Sequence, residues 1–206
     1  WLDANDINGD GLPETSSDFI SGGSSGVISN WADRSGSSNN LTQSSATQMP
    51  SYTVVAGKPS VSFDGTNDSL SKSLPAALSG NPSFTILIAA KASATSGRIL
   101  HFGSNAGTAN QSLGLSAAGG FEYNAGSLSA FSNFSATPTT IGTFRRSSGS
   151  AQNKGEFYRN GEKLSLSAIS ATGTLALPTS ASSLIIGKGI NSSGTNEVYS
   201  GKVNEL

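Results

Sequence analysis

The densest set of potential metal ligands lies between Asp6 and Asp18, where Asp6-Ile-Asn8-Gly-Asp10-Gly11-Leu12-Pro-Glu14 spells a D-x-N-x-D-G loop. Side-chain oxygens at alternate positions converge on one hard cation, the following glycine allows a sharp bend, and the next carbonyl, here that of Leu12, extends the shell. Glu14 and Asp18 stand where they can close it. A helix–loop–helix calcium hand would end on a glutamate at the position held here by Ser17, and Pro13 with the surrounding glycines opposes flanking helices. The expectation is therefore a bare loop holding one Ca²⁺ through Asp6, Asn8, Asp10, the Leu12 carbonyl, Glu14 and Asp18. Calcium accepts about six to eight oxygens in irregular geometry, whereas magnesium asks for a stricter octahedron. With no cysteine and a single histidine in the chain, zinc is a poor candidate. The plain alternative is an Asn/Asp/Gly surface turn that binds nothing, since these are the usual turn formers.

Catalytic chemistry finds less support. Retaining glycoside hydrolysis needs two carboxyls roughly 5 Å apart, yet Glu156 and Glu162 straddle a hairpin and Glu122 stands alone between Phe121 and Tyr123. His101, the one histidine, sits between Leu100 and Phe102 in an apolar strand and reads as structural. No other imidazole is available to activate the many serines. The chain reads as a non-enzyme. Weaker binding candidates are Asp33, Asn40 and Asp68, which can gather at one rim, and Tyr123, which with Phe131, Phe134 and Tyr158 can offer a ring face to a sugar. Turn capping for the polar set and core packing for the aromatics are the competing roles. Arg145-Arg146 point to opposite faces if extended, so only one can join a given site, and solvent exposure is their plainer role.

The elements that must hold these residues are strands. Val61 and Phe63 alternate with Ser60, Ser62 and Asp64, and Asp64-Gly65 ends that run as a turn. Further short strands follow: Ser83 to Lys91, Arg98 to Gly103, Ser112 to Ser116, Gly120 to Asn124, Thr139 to Arg146, Gly155 to Arg159, Leu184 to Gly187 and Val198 to Leu206. Asn160-Gly161 marks a tight hairpin, because a type I′ turn needs φ > 0 at both central residues. No amphipathic helix interrupts the rhythm, which predicts an all-β sandwich or barrel. Residues 15 to 26 form a Ser/Gly-rich connection anchored by Phe19 and Ile20. Trp31, Val61, Phe63, Phe84, Ile86, Ile88, Ile99, Phe102, Phe157, Leu184 and Ile186 form the expected core.

Several stretches together resemble a laminin-G-like domain of the concanavalin A-like lectin/glucanase group. They are Trp1-Leu-Asp-Ala4, Trp31-x-Asp33-x-Ser35-Gly36, Asn40-x-Thr42-Gln43 and Phe63-Asp64-Gly65-x-x-Asp68. Later come Tyr158-x-Asn160-Gly161, Ile186-Gly187 and Tyr199-x-Gly201-x-x-x-Glu205-Leu206. Between 92 and 138 only the strand rhythm matches. The resemblance implies one domain over residues 1–206, a two-sheet antiparallel jelly-roll sandwich, with the calcium-type loop at 6–18 and a final strand that continues past Glu205-Leu206 in the family. Glucanase relatives carry E-x-D-x-x-E on one strand, and that spacing is missing here. The loop itself is similar to the calcium loops of thrombospondin-type repeats.

The 206 residues suffice for one domain with a sizeable core. Charged residues make up 12% and the net charge is −1, which leaves no electrostatic footprint for nucleic acid or an anionic membrane. No apolar run reaches membrane-spanning length, so no membrane insertion is expected. The expected function is a non-catalytic, calcium-binding carbohydrate- or receptor-binding adhesion module, extracellular or at the cell surface, within a larger multidomain chain. Its partner would be a glycan or a cell-surface receptor. A spacer domain with no ligand is the alternative, and a glycoside hydrolase relative ranks below both.

Overall fold

The computed structural model describes residues 1–15, 18, 26–80, 82–93, 97–103, 110–116, 120–125, 128–132, 140–147, 155–165, 168–170, 182–190 and 196–206. In chain order the strands are β1 (Asn30–Trp31), β2 (Leu41–Thr42), β3 (Ser51–Val55), β4 (Lys58–Asp64), β5 (Leu70–Ser73), β6 (Phe84–Ala92), β7 (Arg98–Gly103), β8 (Asn110–Ser116) and β9 (Gly120–Ala125). The second half adds β10 (Leu128–Ser132), β11 (Thr140–Arg146), β12 (Gly155–Arg159), β13 (Glu162–Lys163), β14 (Ala168–Ser170), β15 (Ser183–Ile186), β16 (Lys188–Ile190), β17 (Asn196–Val198) and β18 (Ser200–Glu205). The described residues hold no α-helix, only the 3₁₀ turns Ala46–Gln48 and Ala76–Leu78 and a 3₁₀ conformation at Asp18. The protein is all-β.

Two large antiparallel sheets carry the architecture. One has nine strands in the order β1-β2-β5-β15-β7-β8-β9-β10-β14, and the other seven in the order β13-β12-β11-β6-β18-β4-β3. A two-stranded ribbon of β16 and β17 packs against β7. The inward residues of both large sheets belong to one core. Trp31, Leu41, Leu70, Phe102, Tyr123 and Ile186 come from the first, and Tyr52, Val61, Phe63, Ile88, Phe144 and Phe157 from the second. Phe84 meets Phe102 edge-on at 5.3 Å, and Tyr123 stacks on Phe144 at 4.4 Å, so aromatic pairs bridge the sheets. The arrangement is sandwich-like.

Local chemistry explains the joints. Asn160 and Gly161 have φ of 50° and 87°, as the hairpin between β12 and β13 requires. Gly187 has φ of 91° and sits so close to Phe63 that a Cβ there would lie 2.3 Å from its ring. Eight of the eleven expected core residues are buried, while Phe84, Ile86 and Leu184 are half-buried and packed against the core. Phe19, Ile20 and Phe134, and the side chains of Glu122 and Phe131, lie outside the described residues.

Candidate functional site

The N-terminal segment is positioned by the far end of the chain. Leu2 exchanges backbone hydrogen bonds with Leu206, Ala4 N–H donates to the Asn204 carbonyl, and Asp3 bridges Glu205. Trp31, fully buried, donates its indole N–H to the Asp3 carbonyl at 3.1 Å. The loop therefore leaves the sheet from a fixed point. Ile7 is buried, and its carbonyl accepts from Ala32 N–H.

Asp6 is the loop's internal anchor. It is 2% exposed, Oδ1 accepts from Gly9 N–H at 2.8 Å, Oδ2 accepts from Gly11 N–H at 2.9 Å, and Arg34 forms an ion pair with Oδ2. Arg34 also lies 5.7 Å from the centre of the Trp1 ring. Gly9 and Gly11 have φ of 81° and 82°, which lets their amides turn back onto the carboxylate.

The remaining carboxylates gather opposite. Asp10 Oδ1 accepts from Leu12 N–H, and the Asn8 amide nitrogen reaches Asp10 Oδ2 at 3.0 Å and Asp18 Oδ1 at 3.1 Å. Asn8 Oδ1 meanwhile accepts from Asp10 N–H. Glu14 folds inward and accepts from Ile7 N–H through Oε1, while its Oε2 is buried with no hydrogen-bond partner. Burial pushes the Glu14 carboxyl above its ordinary range, against the pull of the Ile7 and Asn8 amides, and the charges of Asp18 and Asp10 push it further. Asp18 is held low by hydrogen bonds from the Thr15 amide and hydroxyl.

Calcium fits this donor set only in part. The orphaned Glu14 oxygen and the like charges beside it suit a cation. Asp6, however, already faces Arg34, and an amide nitrogen of Asn8 stands between Asp10 and Asp18. No three acidic, histidine or cysteine side chains among the described residues converge as a preformed metal cluster. The Leu12 side chain is exposed. The residues fit a metal only if Asn8 turns its oxygen inward and Asp10, Glu14 and Asp18 close up.

The weaker candidates are placed elsewhere. Asp33 caps its own loop, with Oδ1 accepting from the Trp1 amino group and Ser35 N–H, and Oδ2 from Ser35 Oγ and Asn39 N–H. Burial alone would raise its carboxyl, but these bonds outweigh it and hold the group well below the usual range. Asn40 Oδ1 accepts from Asp33 N–H. Asp68 is 8% exposed, accepts from Asp64 N–H, and is raised by burial. Asp33 and Asn40 form one capping cluster, and Asp68 belongs to another turn. Tyr123 offers no open ring face, because it is buried against Phe144. Arg146 corrects the expectation of exposure: it is 3% exposed, while Arg145 on the opposite face is open.

Sequence reasoning missed a second feature. On the outer face of the seven-stranded sheet, a groove of about 540 Å³ is lined by residues that include Lys58, Lys91 and Lys202. No sequence-family model matches the chain, and no curated protein shows significant similarity to it.

Proposed function

We propose that the protein is a non-catalytic binding module, laminin-G-like and of jelly-roll topology, whose N-terminal loop is ordered by one calcium ion. It would serve in a secreted or cell-surface protein and engage a glycan or a protein receptor. The observation that carries the metal reading is Glu14 Oε2, a buried carboxylate oxygen without a partner, in a loop where Asp10 and Asp18 add like charge. Asp6 has Arg34 as counter-ion; among the described residues of that loop, no cation faces the other three. Asp10, Glu14, Asp18, the Asn8 oxygen and the Leu12 carbonyl would hold the ion, with Asp6 fixing the loop's bend. When bound, calcium supplies charge neutralisation and cross-linking of the loop.

The non-catalytic reading draws support from His101. It is fully buried, and burial first, then Lys188, lowers its pKa to about 4, so it is not presented to a substrate as a base. Glu156 is bound by Tyr158 and Lys163 on an outer hairpin.

A ligand bound only by the folded state stabilises it by RT ln(1 + [L]/Kd). A thermal melt should rise in millimolar calcium and fall in chelator, and Asp10→Ala should remove the difference. An unchanged melt, with no calcium by elemental analysis, would overturn the metal reading. The Arg34–Asp6 pair favours one second reading, a self-sufficient polar turn in a spacer domain, and the same melt separates the two.

A further inference from the structure

We propose that the groove on the outer face of the seven-stranded sheet binds an acidic polypeptide segment carrying aliphatic side chains. This takes the binding-module reading as its starting point but does not depend on calcium. β18 lies between β4 and β6, with Lys202 directly opposite Ser62 on one side and Lys91 on the other. Lys58 adds a third ammonium at the far end of the groove, four residues along β4 from Ser62 and so about 13 Å along the strand from the Lys202–Lys91 row. Like charges directly opposite one another destabilise a sheet. Lysines that protect a sheet from aggregation belong on edge strands, whereas β18 and β6 are interior strands of this sheet. No carboxylate appears among the described lining residues, in a chain whose net charge is −1. Three cations are thus concentrated there without a lining group of opposite sign.

The rest of the lining selects among anions. Gly57, Ser60, Ala89 and Ser93 keep the floor low. The aliphatic walls are Val55 and Ile141, 55% and 49% exposed, and Leu87 lies on the same strand face as Ala89 and Lys91, 48% exposed. A sugar ring seeks an aromatic platform, and the described lining holds no aromatic residue. A segment carrying both carboxylates and branched aliphatic side chains matches the lysines of β6, β18 and β4, which lie between Ile141 on β11 and Val55 on β3. The groove crosses interior strands whose backbone is already paired, so recognition is by side chains and not by strand addition.

The test uses the whole chain and a soluble ten-residue peptide of alternating Glu and Val, followed by calorimetry or fluorescence anisotropy in chelator. Binding should weaken with added salt and by about tenfold in Lys91→Gln/Lys202→Gln, which removes one exposed and one half-buried charge. Ile141→Ser, or a Glu/Ser peptide, should weaken it as well, while Lys163→Gln, outside the lining and paired with Glu156, should not. Equal melting temperatures certify that the variants are folded. Unaltered binding in the double lysine variant overturns the site, and binding of heparin but not of the Glu/Val peptide overturns the polypeptide class. No binding of either overturns the groove proposal; a calcium-dependent melt in the same sample would leave the metal reading standing.

Discussion

Replacing Asp6 by alanine should lower the melting temperature by about 6–12 °C, measured by calorimetry in chelator so that no metal contributes. Asp6 is 2% exposed and accepts from Gly9, Gly11 and Arg34. A hydrogen bond to a charged group contributes about 1.5–3 kcal/mol when buried. The two glycines are exposed and Arg34 is 30% exposed, so water recovers part of each loss, which leaves about 1 kcal/mol per contact and about 3 kcal/mol in all. For a chain of 206 residues each kcal/mol shifts the melt by about 2–4 °C. Asp6→Asn keeps one acceptor and should cost less than Asp6→Ala. In an Arg34→Gln background the cost of Asp6→Asn should shrink, because the partner is already gone. A change below about 2 °C for Asp6→Ala, or strict additivity with Arg34→Gln, would refute the anchoring role.

Glu14→Gln should raise the melt at pH 7 in chelator while abolishing the calcium-induced rise, because the raised Glu14 pKa means that its ionisation costs the folded state stability as pH rises through that pKa. His101 should make stability fall as pH drops from about 6.5 to about 4, since the unfolded chain binds the proton first. The full effect is about 3 kcal/mol at about 1.36 kcal/mol per unit; His101→Gln should flatten that part of the pH profile, and an unchanged profile would refute it. Gly187→Ala should destabilise by more than about 3 kcal/mol in denaturant unfolding, because φ is 91° and the new Cβ meets the Phe63 ring and, at 2.8 Å, the Asp68 carbonyl.

Local signals carried much of the fold. Val61 and Phe63 are inward, as period-two alternation requires of a half-buried strand, and Asn160-Gly161 closes its hairpin because few other pairs accept both dihedrals. The neighbouring hairpin is illegible in sequence: β3 and β4 turn at Ala56-Gly57, where alanine takes φ of 52°, an uncommon choice that propensity does not anticipate. β5, β10, β14 and β16 are three to five residues long and mostly serine, alanine, glycine and lysine, so their strand state comes from pairing and not from side-chain preference. Apolar neighbours alone mark His101 as structural; the ribbon of β16 and β17 that packs against its strand is what buries a residue pointing away from Leu100 and Phe102.

The loop and the groove differ in how sequence encodes them. Asp6, Asn8, Asp10 and Glu14 lie within nine residues, so their spacing is visible, but Arg34, which turns Asp6 from a free ligand into half of an ion pair, arrives from a different loop. Lys58, Lys91 and Lys202 are spread through the chain and line one groove only because the C-terminal strand β18 inserts between β4 and β6. That insertion also seats the N-terminal segment, through Ala4 to Asn204 and Leu2 to Leu206, and it brings Asn5 to the rim of the groove one residue before Asp6. A defect in β18 docking should therefore disturb both sites together. Gly201 is the sensitive point, since its φ is 155° and a Cβ would lie 2.4 Å from the Lys91 carbonyl and 2.6 Å from the Tyr199 hydroxyl.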